Sequence, residues 1–374
     1  MLTQYPDPIE PQVTVADFLH LQTYELDAKT ATWASGTDTS ANPRTLRWVI
    51  PPVGLISRID IDVDGGSATA YDFTAGGGTG AAAADGEGPY GIVENIALKI
   101  NGGVNLFDVS GMGAMLLEAA ESPESLPRTQ GAGTVYTTAP TDIENTVFNY
   151  DATADSRPRW GITVPLSLTP GQPLGMILAG NDQTTIELIL TLDTLSNFAA
   201  LAGGASATLT LTFTPNVEFF AVPEQAAFEA YVRPLLGWAH QNREWRQDIT
   251  ATGENAVTLD NHDTILQVIH RPVLNSIVNT DAISRLRFVL NRSDYRYDSS
   301  GPTHLRRQRR ALGKDIPAIV WTWFAGHNLR DAIRADAYTD IRSLVTIASG
   351  TTLGTAFFKT AERRLIQLDA RPGA

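Results

Sequence analysis

A chain of 374 residues, 43% apolar and 18% charged, is long enough for two or three domains, each with its own core. It has no cysteine, which excludes disulfides, thiolate metal sites and cysteine nucleophiles. Its net charge of −13 excludes a general nucleic-acid binder, whose affinity would rest on neutralising phosphates.

The charge is unevenly spread. Residues 1–224 hold 8 Lys and Arg against 26 Asp and Glu, and residues 225–374 hold 20 against 15, so the halves carry −18 and +5. The asymmetry reads either as mutual attraction of the two halves, within or between subunits, or as a face that meets an anionic surface. The first residues lack a basic and apolar leader pattern, so no signal peptide is expected. No run approaches 18 apolar residues, so no membrane-spanning helix is expected. With 31 Gly and 21 Pro, the composition favours strands and turns over helices.

In chain order, residues 1–44 read as a polar N-terminal arm. Residues 45–50 and 55–63 alternate as strands, with Ile59, Ile61 and Val63 on one face and Pro51 and Pro52 between the two. Residues 64–90 form a long loop rich in Gly and Ala. Residues 92–100 and 104–109 are strands joined at Asn101-Gly102-Gly103, a hairpin-type turn. A short helix is expected over 112–120, then a second long loop over 122–159. Strands follow at 162–168, 185–192, 207–214 and 216–222, completing a first unit over 45–223.

Residues 224–248 read as a connector, helical over 226–232 until Pro234 interrupts it. Its aromatic residues Phe228, Tyr231, Trp238 and Trp245 are expected to wedge between two units. The second unit, 249–374 with its tail, carries strands at 256–259, 264–270, 273–278, 282–290 and 295–297. A helix over 303–312 comes next, then strands at 318–324, 340–347, 354–360 and 364–369.

The two units look like copies. At a shift of 190, residues 92–111 lie over 282–301 without a gap, with Asn101 on Asn291, Asp108 on Asp298, Ser110 on Ser300 and Gly111 on Gly301. Upstream, residues 45–50 lie over 264–269 at a shift of 219, and the Gly/Ala-rich loop fills the difference. The helix follows the same strand in each copy. Short strands at regular spacing, eight to a unit with excursions at fixed places, predict an all-β chain. Its architecture is two tandem eight-stranded jelly rolls with short helices and long loop insertions.

Candidate chemistry is sparse. Gly76-Gly-Gly-Thr-Gly80 lacks the Lys-Ser/Thr of a phosphate loop and reads as surface loop. The six histidines show no metal-binding spacing, and the turn 260–263 around His262 reads as polar turn rather than cation site. Asp60, Asp62 and Asp64 share a strand face, which fits a solvated surface better than a calcium or acid–base site. No nucleophile–base pair appears, so no enzymatic activity, cofactor or metal is expected. The sharpest cluster is Arg306, Arg307, Arg309, Arg310 and Lys314 on the second helix. Like charges this dense repel one another, and arginine forks bind phosphate or carboxylate, so the cluster is either an exposed helix face or a contact with an anionic partner.

Residues 100–103 (Ile-Asn-Gly-Gly), 106–111 (Leu-Phe-Asp-Val-Ser-Gly), 160–168 and 219–225 (Phe-Phe-Ala-Val-Pro-Glu-Gln) carry a resemblance. Over roughly residues 45–370 the order of elements resembles the double-jelly-roll major capsid proteins of tailless icosahedral viruses, notably bacteriophages with an internal membrane. The resemblance implies a virion protein, made in the host cytoplasm, that forms homotrimers whose six jelly rolls make a pseudo-hexagonal capsomer. It further implies contacts with neighbouring capsomers and with penton and minor capsid proteins, and contact of the basic second half with an internal membrane or the genome. The alternatives are a tandem jelly-roll glycan-binding or glycan-processing protein, and a minor capsid or spike protein.

Overall fold

The computed structural model describes residues 21–34, 40–65, 81–82, 90–120, 130–131, 158–168, 174–179, 185–195, 199–200, 209–222, 225, 228–275, 277–291, 294–313, 316–323 and 329–367. Most of the two long loops, 64–90 and 122–159, lies outside these residues, as does Lys314.

The first unit is built from β1 (Leu21–Glu25), β2 (Lys29–Trp33), β3 (Thr45–Ile50), β4 (Leu55–Asp64), β5 (Val93–Ile100), β6 (Val104–Val109), α1 (Gly111–Ala119), β7 (Pro158–Pro165), β8 (Ile186–Leu192) and β9 (Leu209–Phe220). One of its sheets runs β2-β9-β4-β7, with β1 extending β2 along β9; the other runs β3-β8-β5-β6. The second unit is built from β10 (Trp238–Asp248), β11 (Gly253–Leu259), β12 (Thr264–Leu274), β13 (Ile283–Leu290), β14 (Asp294–Ser300), α2 (Gly301–Leu312), β15 (Ile319–Thr322), β16 (Ile341–Ile347) and β17 (Phe357–Gln367). Its sheets run β10-β17-β12-β15 and β11-β16-β13-β14. Both units therefore place their eight strands in one order, with first beside eighth, third and sixth, and second beside seventh, fourth and fifth. That is a jelly roll, made twice.

The strands follow from alternation. In β4, Ile59, Ile61 and Val63 are buried, while Asp60, Asp62 and Asp64 lie on the other face. The two largest buried clusters centre one on each sandwich, the first reaching into the second unit at Ile269, Val320 and Ala361. At roughly 1.5–3 kcal/mol for each fully buried large aliphatic or aromatic side chain, they are the main stabilising term.

The copies agree in detail where the shift of 190 applied. Asn101 and Asn291 both take left-handed backbone, φ 49° and 50°. Each side-chain Oδ1 accepts an amide next to the seventh strand of its unit, from Thr185 at 2.9 Å and from Thr339 at 2.8 Å. Ser110 and Ser300 both cap the following helix.

Four expectations need correction. The match of 45–50 to 264–269 is false: Thr45–Ile50 is the second strand of its unit and pairs with β8, whereas Thr264–Leu274 is the third strand of its own. Six residues of period-two alternation fit any strand, so they carried no register. The third strands correspond instead at a shift of 209, with Gly54 and Asp263 both at positive φ just before them. The expected arm contains β1 and β2, and the expected connector contains β10, which pairs with β17 along its length. Polar and aromatic residues on one face of these strands concealed them. Residues 264–274 and 357–367 each form one strand where two were expected, and so do residues 209–220. Pro215, which has no N–H to donate, marks where its neighbour changes from β1 to β2, and Leu26 N donates to the Pro215 carbonyl at 2.9 Å. Finally, Trp245 packs on the second core rather than between the units, and Phe228 packs beside Leu55, Met176 and Phe220. Trp238 does bridge them, resting on Leu168, Leu266 and Leu365. The Tyr231 side chain is outside the described residues.

Candidate assembly surface

α2 carries the arginine cluster and is held rigidly. Ser300 caps its start, Pro302 occupies the first turn, and Gly313 closes it at φ 68° with its N–H on the Arg309 carbonyl. His304, Gln308 and Leu312, four residues apart, form the buried side. Gln308 donates to the Ala318 carbonyl at 2.8 Å and accepts from Val320 N at 2.9 Å. His304 lies 3.1 Å from the Tyr297 hydroxyl and 4.7 Å from the Trp321 ring centroid. Burial lowers the His304 pKa to about 4; a backbone hydrogen bond with Val320 opposes this and Arg307 adds to it.

The opposite side presents Arg306, Arg307, Arg309 and Arg310, all exposed. Arg307 reaches the Tyr297 hydroxyl at 3.4 Å. Arg306 and Arg310, one turn apart, repel each other. The structure thus places all four described members of the predicted cluster on one side of one helix.

α1, the counterpart of α2, has the opposite character. Of its residues only Glu118 is not buried. Met112, Met115 and Leu116 share a buried cluster with Ile269, Val320 and Ala361 of the second unit. Both ends of α1 are held by that unit. The Glu244 carboxylate accepts from Ser110 N at 2.7 Å, where the helix dipole favours a negative charge. Gln267 donates to the Ala120 carbonyl at 3.1 Å. Alongside, β6 and β10 pair in parallel, Phe107 opposite Asn242 and Asp108 opposite Arg243, and Gln241 donates to the Asn105 carbonyl at 3.1 Å. This parallel ladder fuses one sheet of each sandwich into a single sheet, ten-stranded when the short strands Ile277–Val278 and Ile333–Arg334 beside β12 are counted. Gln241, Glu244 and Gln267 were not singled out by sequence reasoning, since nothing in their residue type sets them apart; strand pairing identifies them.

The other sheet of the first sandwich shows an acidic outer face. Arg58 bridges Asp60 at 2.9 Å and Glu218 at 3.0 Å. Thr163 donates to Asp60 at 2.9 Å and Asn216 to Asp62 at 3.1 Å. Among the described residues no group of three or more His, Asp and Glu is arranged to hold a metal ion. The turn 260–263 is a latch: Asp260 pairs with Arg243 at 2.5 Å, and Arg364 donates to the carbonyls of Asp260, at 3.0 Å, and of His262. Arg364 and Arg243 both bind Glu362, whose side chain is fully buried. No described helix is long and apolar enough to cross a membrane.

No protein-family model matches the chain, and no curated protein sequence is similar to it. Solved structures of similar fold do exist. The crystal structure of the major capsid protein of Sulfolobus Turreted Icosahedral Virus is 14% identical, with a TM-score of 0.61 over 94% of this chain and 97% of that one. A PBCV-1 virus capsid chain is 11% identical, with a TM-score of 0.59 over 93% and 94%. Major capsid protein P2 of bacteriophage PM2 is 9% identical, with a TM-score of 0.50 over 93% and 100%. At these identities the likeness establishes the fold, a double jelly roll over nearly the whole chain.

Proposed function

We propose that this chain is a major capsid protein, a structural shell subunit of an icosahedral virion that works as a homotrimeric, pseudo-hexagonal capsomer. One observation carries the reading: two sandwiches of identical strand order stand side by side, joined through a shared sheet, and the likeness to capsid proteins runs the length of both. Three such pairs in a ring give six sandwiches, and a ring closes the contact that a head-to-tail interface would otherwise extend into a filament. Side-by-side packing also protects the edge strands. The two units span 29–220 and 238–367, with 21–25 extending the first strand. The virion is the location this role requires, after synthesis in the host cytoplasm, and neighbouring capsomers, pentons and minor capsid proteins are its partners. A bacteriophage with an internal membrane is the source we favour.

The exposed arginine side of α2 is assigned to an anionic partner, and Lys314, outside the described residues, is counted with it from the sequence. Native mass measurement with electron microscopy tests the function. A species of about 120 kDa, three times 40.4 kDa, or closed shells, is expected; a monomer at every concentration refutes the reading. Replacing Arg306, Arg307, Arg309 and Arg310 with Gln tests the surface. Lower particle yield and salt tolerance are expected, and unchanged values refute the assignment.

A further inference from the structure

We infer that the anionic partner of the α2 arginines is the acidic outer face of the first sandwich in a second copy of this chain, so that the joint inside the chain is made again between chains. The inference rests on the capsomer reading and specifies its interface.

The strand registers supply the correspondence. β5, β6 and α1 map onto β13, β14 and α2 at a shift of 190. β4 maps onto β12 at 209; both ladders slip at the same place, opposite Ser57 in one and Leu266 in the other. Through them β9 maps onto β17 at 145, Phe220 on Leu365. The partners of those two residues, Leu21 and His240, then fix β1 on β10 at 219.

That last shift puts Gln22 on Gln241 and Glu25 on Glu244. The two side chains that fasten β10 to β6 and α1 thus have identical counterparts on β1. On β1 both are exposed, and among the described residues neither side chain has a partner. β1 is an edge strand, and its Leu21 and Tyr24 are among the large apolar residues left exposed, 55% and 46%. β14, the counterpart of β6, is likewise an edge strand, with Tyr295 at 51%. Setting β14 of one copy against β1 of another, as β6 lies against β10, puts Thr23 opposite Tyr297 and Tyr24 opposite Asp298. Gln22 then reaches the Tyr295 carbonyl, and Glu25 lies at the N-terminus of α2 beside Ser300.

The same operation lays α2 on the outer face of β4 and β9. Inside the chain, Leu116 and its neighbours on α1 share a buried cluster with Ile269 and Ala361. Between chains the positions of Leu116, Leu117 and Ala119 become Arg306, Arg307 and Arg309. Those of Ile269, Arg271 and Arg363 become Asp60, Asp62 and Glu218. The apolar contact that Leu116 and Leu117 share with Ile269 is thereby replaced by one between opposite charges, in the sense of the charge difference between the halves. Polar contacts suit an interface whose two faces must stay soluble until copies meet.

The test is charge reversal in the full chain, with folding followed by circular dichroism and mass by native mass spectrometry. Reversing Arg306, Arg307, Arg309 and Arg310 to Glu, or Glu25, Asp60 and Asp62 to Lys, is expected to give folded monomers. Both sets together are expected to restore the oligomer. An oligomer indifferent to either set, or one not restored by the combination, overturns the inference while leaving the capsomer reading in place. So does loss of binding to anionic vesicles or nucleic acid with oligomer mass unchanged. A second variant needs no charge change on α2. The chain has no cysteine, and Tyr24→Cys with Asp298→Cys is expected to give oxidised, covalently linked trimers that neither single variant gives. Trimers that remain uncrosslinked refute the register. Unaltered chain that stays monomeric refutes the underlying reading instead.

Discussion

Replacing Glu362 with Gln removes one negative charge and little volume. The Glu362 side chain is fully buried and Arg364 is 2% exposed, with 2.7 Å between Arg364 Nε and Glu362 Oε1. Arg243, 35% exposed, also binds it. Breaking a buried pair from one side costs about 3–5 kcal/mol, because the remaining charge is left uncompensated. Arg364 keeps two carbonyl acceptors, at Asp260 and His262. That places Glu362→Gln near the lower end, about 3 kcal/mol, or roughly a hundredfold in the folding equilibrium. Urea unfolding at fixed chain concentration measures it, since oligomerisation links stability to concentration. Adding Arg364→Met to Glu362→Gln should recover much of the loss, because replacing both charges with neutral groups removes the stranded ion. A single variant within 1 kcal/mol of the parent, or a double variant no better than the single, refutes this account of the buried network.

Three other perturbations follow from the duplicated elements and the buried histidines. A Cβ at Gly111 would sit 2.4 Å from the Tyr90 carbonyl oxygen, and one at Gly301 would sit 1.9 Å from that of Ile283. Gly111→Ala and Gly301→Ala should each lower the unfolding midpoint sharply, while Gly103→Ala, whose nearest atom is 4.0 Å away, should not. Ser110→Ala should cost about 1 kcal/mol in the same assay through loss of the helix cap at Gly113 N. Burial lowers the His270 pKa to about 3 and that of His304 to about 4, both below the unfolded value near 6.5. The unfolded chain therefore binds more protons below pH 6.5. The stability from keeping each ring neutral is complete above that pH and falls by about 1.4 kcal/mol per unit per histidine as pH drops toward the folded value. His270→Gln should flatten the fall in a pH series of urea titrations; an unchanged slope would refute the assignment.

The fold was legible where residue type and position reinforce one another. The asparagine that turns each hairpin, with the Ser-Gly pair that starts each helix, fixed the correspondence of residues 92–111 with 282–301, because left-handed backbone, a cap and a close approach each demand a particular residue. Alternation alone does not, and the match at residues 45–50 failed for that reason. β1, exposed at every residue, and β2 and β10, with one side on solvent or a polar partner, were hidden because they lack the apolar run that marks a strand. The arginine cluster stood out through its like charges. The partner surface at Asp60 and Asp62 read as ordinary solvated carboxylates, and only the third-strand register connects it to Ile269 and Arg271. Gln22 and Glu25 repeat Gln241 and Glu244 at the same spacing, but four dissimilar flanking residues conceal the repeat until the ladders are paired.

The ten-stranded sheet that crosses from one sandwich to the other has a mechanical consequence. Load on either half reaches its twin through backbone hydrogen bonds instead of a pliable tether, so the chain should answer compression as one stiff tile with no hinge. Under lateral tension the strain should concentrate where β6 meets β10, because among the described residues the ladder there is two residue pairs long, Phe107 with Asn242 and Asp108 with Arg243. Rupture should begin there, with each sandwich still intact.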